Sequence, residues 1–175
     1  MEYPASTQAL PSQRPAAAAH LNRPIQTMPS THSSLIYHIV YSTKDRENWF
    51  PKDFQPKLHA YIGGILRGNE ATAYAVGGVA DHVHLLVGLK TTHSIPDLIR
   101  IVKTESSKWI KREISQSAFG WQDGYGIFTV SASGLEKVRS YVLNQEEHHR
   151  TMTFQEEYVA LLKKCGVEFD ERFLW

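Results

Sequence analysis

Hydrophobic and polar positions along the chain switch between a period near two and a period near 3.6, and the switches outline an α+β domain. Ser34 to Thr43 is β-branched and aromatic, which predicts a first strand. Polar Lys44 to Asn48 leads to Pro51, suited to a helix start; Phe54, Leu58, Tyr61, Ile62 and Ile65 then recur at helical spacing until Gly68. Glu70 to Val79 predicts a second strand, in which Gly77-Gly78 marks a bulge or a close backbone approach. Asp81 to Leu89 predicts a third, joined to the second by a hairpin around Ala80-Asp81 or by two strands meeting at a tight bend. Ser94 and Pro96 open a second helix with the apolar stripe Ile95, Leu98, Ile99, Val102, Trp109 and Ile110. Trp121 to Val130 predicts a fourth strand, and Ser133 to His149 a third helix with Leu135, Val138, Val142 and Gln145 on one face. A last helix, Phe154 to Lys164, stops at Gly166.

The order strand, helix, strand, strand, helix, strand is the split βαβ arrangement of a ferredoxin-like antiparallel sheet. Helices are expected on one face, leaving the other face available, with a C-terminal helical extension beyond. Such a fold hosts many activities and supports none by itself. Residues 1–30 are rich in Pro, Ala, Ser and Gln without a sustained period, and read as a disordered extension. They lack the basic and apolar regions of a signal peptide, and Met28, just ahead of the first patterned segment, is a candidate natural start. The ordered domain is expected over 31–150, with 151–175 as a helical tail packed on it.

Composition narrows the function classes. Hydrophobic residues make up 42% and charged residues 21% of the 175, ordinary for a globular protein. A net charge of +1 requires any nucleic-acid surface to be a local patch. The single cysteine, Cys165, excludes an internal disulfide and a Cys-based zinc site, and suits the cytoplasm. No apolar run approaches the roughly 20 residues of a membrane helix.

Candidate chemistry centres on Asp81-His82-Val83-His84-Leu85-Leu86-Val87. Alternate strand residues share a face, so His82 and His84 can converge on one ion; as a pair alone they fit a core or surface role equally well. Asp81 adjoins them one residue out of phase with His82. A histidine-triad hydrolase would need a further histidine where Leu86 stands. The third helix offers Tyr141 and Gln145, four residues apart on one face, a spacing that alone is ordinary helix composition. His148 and His149 read as a polar helix end that complements the dipole. Arg100, Lys103, Lys108, Lys111 and Arg112 cluster on the second helix with Trp109 and Ser106-Ser107. They are candidate phosphate contacts, the alternative being a solvated helix face. Trp121 and Tyr125 are either base-stacking or core aromatics.

Asp-His-Val-His-Leu-Leu-Val followed by Tyr-Val-Leu-Asn-Gln resembles the single-tyrosine HUH transposases of small insertion sequences. Trp121 to Gly126 and Asn144 to His149 are similar to the REP-associated branch of that family, and the resemblance runs from about Met28 to Trp175. It implies a ferredoxin-like catalytic domain with His82, His84 and Gln145 as ligands of a divalent metal, Mg or Mn, and Tyr141 as nucleophile. It also implies cleavage and rejoining of single-stranded DNA with hairpin ends through a covalent 5′-phosphotyrosine, in the cytoplasm. A homodimer paired through sheet edges is a further implication. The chain departs from the smallest relatives by continuing through Phe154 to Trp175, a tail that can instead cover the edge, and by Ala80 where many carry proline. The rival from another class is a domesticated, non-catalytic nucleic-acid binder on the same fold. Retention of Tyr141, His82, His84 and Gln145 together argues against it, since drift has no reason to spare the set.

Overall fold

The structure, a computed structural model, describes residues 31–174, so the expected N-terminal extension lies outside the described residues. Its elements are β1 (Leu35–Ser42), α1 (Gln55–Gly68), β2 (Thr72–Gly78), β3 (His82–Leu89), α2 (Ile95–Glu113), β4 (Gly126–Thr129), α3 (Leu135–Leu143), α4 (Gln145–His148) and α5 (Phe154–Lys164). The strands form one antiparallel sheet in the order β2-β3-β1-β4, the ferredoxin-like arrangement expected. Among the described residues no helix is long and apolar enough to cross a membrane.

The two faces of the sheet follow from strand alternation. Ile39 and Tyr41 of β1 and Val83, Leu85 and Val87 of β3 pack against Leu58, Ile62 and Leu66 of α1 and Leu98, Ile99, Val102 and Ile110 of α2. The opposite face was expected to stay available, and it does not. Ile36 and Leu86 pack on Val142 of α3, while Val40 and Phe128 pack on Phe154 and Leu162 of α5. β3 is buried along its whole length apart from half-buried Gly88, which one-sided cover would not produce. Leu86, in phase with the two histidines, gave the second face an apolar area that needed covering.

Two boundaries differ from the pattern-based expectation. The helix expected over 133–149 breaks at Asn144 (φ −107°, ψ 31°) into α3 and α4, and the Asn144 amide donates to the Ser140 carbonyl at 2.8 Å. A side chain that bonds the backbone competes with the helical ladder in this way. β4 is shorter than 121–130 because Trp121 belongs to the core instead. It forms an isolated bridge with Thr43, and its indole N–H donates to Ser106 Oγ at 3.0 Å.

Gly77 makes the expected close approach. A Cβ there would lie 1.9 Å from the Val142 carbonyl oxygen, so α3 rests on β2 backbone to backbone. This contact sets the height of α3, and with it Tyr141, above the sheet.

Candidate active site

On the sheet face covered by α3 to α5, five imidazoles, a carboxylate, an amide and a phenol converge. β3 supplies His82 and His84, both fully buried, and β1 supplies His38 from the same face. Tyr141 comes from the end of α3 and Gln145, one turn later, from the start of α4. The four residues expected to act together are thus brought together. Tyr141 stands edge-on to His84 with ring centroids 5.7 Å apart, and Gln145 is buried with its amide nitrogen 3.3 Å from Glu157 Oε1.

Each imidazole is oriented by its other nitrogen. His82 Nδ1 donates to Asp81 Oδ1 at 2.7 Å, and stacking on Phe154 (centroids 4.3 Å) holds the ring from α5. A histidine tied by a carboxylate on one nitrogen presents a fixed lone pair on the other, as metal-binding histidines do. Asp81, out of phase in the sequence reading, is therefore an outer partner of His82. His84 Nδ1 lies 2.9 Å from His38 Nε2 with the rings stacked, leaving His84 Nε2 buried without a hydrogen-bond partner.

Residues from the chain's end complete the cluster. Contrary to the helix-end reading, His149 folds inward, with Nε2 3.0 Å from His82 Nε2 and Nδ1 donating to the Met152 carbonyl at 2.9 Å. Glu157 of α5 is buried, accepts the Tyr141 hydroxyl hydrogen bond on Oε1, and places Oε2 3.1 Å from His149 Nε2 and 3.7 Å from His84 Nε2. The ligand atoms of His82, His84, His149 and Glu157 all lie within 4.8 Å of one another.

Sequence reasoning passed over His38 and Glu157. Weak signals existed for both: His38 is in phase on a strand with Ile36 and Val40, and Glu157 interrupts an apolar stripe of Phe154, Tyr158 and Leu161.

The electrostatics set two depressed imidazoles, His38 and His84, beside one anion, Glu157, and a His149 raised by that anion. Burial holds His38 down at about 4, against the opposing charge of Glu157. Burial, reinforced by His82, His38, His149 and His148, keeps His84 well below the usual imidazole range. Burial alone would raise the Glu157 carboxyl, but hydrogen bonds from His149 and Tyr141 and the charges of His149 and His82 hold it low. For His149, burial is outweighed by its hydrogen bonds to Glu157 and the Met152 carbonyl and by the Glu157 and Asp81 charges, which raise it. Burial, then the charge and hydrogen bond of Glu157, push the Tyr141 hydroxyl far above its usual range. His84 Nε2 and Gln145 Oε1 are buried without hydrogen-bond partners, and Glu157 Oε2 faces only imidazole nitrogens, at 3.1 and 3.7 Å. Buried orphans of this kind are costly unless a cation satisfies them, so the donor set fits a divalent metal.

The surface opens beside the tyrosine. A cleft of about 290 Å³ between α3 and α5 is lined by Tyr141, His148 and Glu157 and flanked by Lys137 and Lys164.

The second-helix cations lie elsewhere. Arg100, Lys103, Lys108 and Lys111 line a groove with Trp121, Gln122 and Tyr125, whereas Arg112 pairs with Glu113 beyond it. α2 packs on the sheet face opposite the histidines, so the structure does not bring these cations to Tyr141. Lys103 is already engaged, donating to the Gln122 and Gly124 carbonyls at 2.8 and 2.7 Å, and burial lowers it to about 8 against Asp123.

Comparison with known proteins agrees with this architecture. ISDra2 transposase TnpA of Deinococcus radiodurans is 24% identical over 119 residues, spanning 65% of this chain and 85% of that protein. A crystal structure of a candidate transposase from Deinococcus radiodurans R1 superimposes with a TM-score of 0.55 at 24% identity, over 69% of this chain and 98% of that one. A REP-associated tyrosine transposase bound to a REP hairpin superimposes with a TM-score of 0.46 at 13% identity, over 66% and 70% of the two chains. The family model for IS200-like transposases matches residues 31–145, most of the 175-residue chain, and the chain belongs to that family.

Proposed function

We propose that the protein is a metal-dependent, single-tyrosine transposase that cleaves and rejoins hairpin-bearing single-stranded DNA in the cytoplasm. The observation that carries this reading is the convergence of Tyr141 and the Glu157 carboxylate with buried, unpartnered atoms of His84 and Gln145 on one face of the sheet. His82, His84 and Gln145 would hold Mg or Mn. When bound, the ion supplies Lewis-acid stabilisation of a non-bridging phosphate oxygen and a template for the phosphodiester.

The remaining work falls to the chain. A tyrosine hydroxyl is a poor nucleophile near neutral pH, and burial beside Glu157 makes this one poorer at rest. Its advantage is position: α3 is seated on Gly77, and the hydroxyl is held by Glu157 Oε1 at the mouth of the α3–α5 cleft. Attack forms the bond from Tyr141 oxygen to phosphorus and breaks the bond from phosphorus to the 3′ oxygen, which leaves as a 3′-hydroxyl. The hydroxyl proton of Tyr141 already faces Glu157 Oε1, its nearest acceptor, and solvent protonates the departing 3′ oxygen, Glu157 returning its proton to solvent so that the count balances. The resulting 5′-phosphotyrosine keeps a reactive ester for rejoining, with no nucleotide cofactor.

The test is incubation of the full chain with labelled hairpin single-stranded DNA and Mn²⁺ or Mg²⁺, resolved on a denaturing gel. The expected outcome is a covalent band that needs the metal and is absent in Tyr141→Phe. An adduct that persists in that variant overturns the nucleophile. Hairpin binding with no adduct from the wild type would favour the non-catalytic reading.

A further inference from the structure

We propose that the C-terminal helix completes the ion site, with Glu157 Oε2 and His149 Nε2 joining His82 and His84 as direct ligands, and that the nitrogen-rich set so formed selects Mn²⁺-type cations over Mg²⁺. The inference rests on the metal-centre reading above and extends it to residues beyond 145, where the family match ends.

The argument begins with tautomers. His82 Nδ1 faces a carboxylate and His149 Nδ1 faces a carbonyl, and both oxygens only accept, so both Nδ1 atoms carry hydrogens. In the neutral rings the two Nε2 atoms are then lone pairs, 3.0 Å apart. Glu157 Oε2, a third acceptor, lies 3.1 Å from His149 Nε2. His84 Nε2, with no hydrogen-bond partner, faces the same carboxylate oxygen at 3.7 Å. Acceptors crowd together like this only around a positive charge.

A proton on His149 Nε2 can be shared between His82 Nε2 and Glu157 Oε2 but leaves His84 Nε2 unsatisfied. A metal ion serves all four. Bonds of roughly 2.1 Å at angles of 90–109° put neighbouring ligands about 3.0–3.4 Å apart, close to the 3.0 and 3.1 Å contacts of His149, while the rest of the set, within 4.8 Å, draws in by side-chain rotation when an ion binds. Glu157 then spans the site, holding the ion through Oε2 and the Tyr141 hydroxyl through Oε1. Three imidazoles with one carboxylate and the Gln145 amide oxygen suit Mn²⁺ or a later transition metal, whereas Mg²⁺ prefers an all-oxygen set and retains its waters.

The experiment is titration of the chelator-treated full chain with Mn²⁺, following free Mn²⁺ by electron paramagnetic resonance. Glu157→Gln, isosteric and uncharged, and His149→Ala are each expected to weaken binding by about tenfold or more, a loss on the scale of disturbing even an outer partner. Glu157→Asp, which keeps the carboxylate, should retain more affinity than Glu157→Gln, separating ligand loss from any general loss of stability. About a hundredfold excess of Mg²⁺ should leave most of the Mn²⁺ bound. Wild-type affinity in Glu157→Gln and His149→Ala, with binding lost in His82→Ala, overturns this inference and leaves the metal centre standing. Equal weakening by Gln and Asp at 157, or ready displacement by Mg²⁺, also overturns it. Unchanged binding in His82→Ala removes the metal centre itself.

Discussion

At the scale of single residues, orientation by outer partners decides what the site can do. Asp81 carries no ligand atom of its own, yet it fixes the His82 tautomer through a 2.7 Å hydrogen bond. Asp81→Asn keeps the shape but can present an N–H where the carboxylate accepted, which favours the wrong tautomer. We expect Mn²⁺ affinity to fall by about 10–100-fold in that variant, measured by the same titration, with the apo-protein melting curve little changed. The motif-bearing residues His82, His84, Tyr141 and Gln145 were legible in the sequence because spacing puts each pair on one face of its own element. Asp81, His38, His149 and Glu157 were not, because their roles depend on the partner atom across a gap between elements. Local periodicity says nothing of that atom.

At the scale of elements, β2 and α3 form the seat of Tyr141, the proposed nucleophile. Gly77→Ala forces a methyl group into the Val142 carbonyl oxygen, and backbone on both sides leaves little room to yield. Overpacking of this kind costs about 1–3 kcal/mol. The expected outcome is a lower denaturation midpoint together with slower adduct formation, since any relief that lifts α3 also lifts Tyr141. Wild-type stability in a urea titration would contradict the contact. The Gly77-Gly78 pair could be recognised from sequence as a close approach, although what approached could not. The boundaries of α5 were legible to the residue: Thr153 and Glu156 form a capping box and Gly166 follows the last turn. Its destination was not, because an amphipathic stripe specifies that a face is buried without specifying against what. Phe154 and Leu162 found the second face of the sheet, each contributing about 1.5–3 kcal/mol by burial.

At the scale of the whole molecule, the near-neutral total charge conceals a division of labour. The cationic groove of α2 and the imidazole cluster occupy opposite faces of the sheet. On the proposed function, DNA that touches both would pass around an edge, and the groove would contribute affinity without touching the chemistry. Arg100, Lys108 and Lys111 are its exposed cations, Arg100 paired with Asp97 and Lys108 with Glu105, whereas Lys103 is committed to holding the loop at 122–124. Replacing both Lys108 and Lys111 by Gln is expected to lower the slope of log binding constant against log salt by about 0.7 for each lost phosphate contact on single strands. The rate of adduct formation at saturating DNA should stay near wild type. An unchanged salt slope would return these lysines to the solvated face that the sequence equally allowed.

The position of Glu157 has a consequence for the order in which the molecule comes apart. Helices at the end of a chain are commonly the first units to open in native-state fluctuations. Here the last helix shares a carboxylate with the centre of the sheet, so on the ligand assignment above its detachment and the loss of the ion are one event. Mass action on the ion then acts on the helix: each tenfold rise in free metal above its dissociation constant makes opening about tenfold rarer. On that assignment the ion would work as a clasp, and the resistance of the C-terminal segment to proteases and solvent exchange would become a reading of the metal in its surroundings.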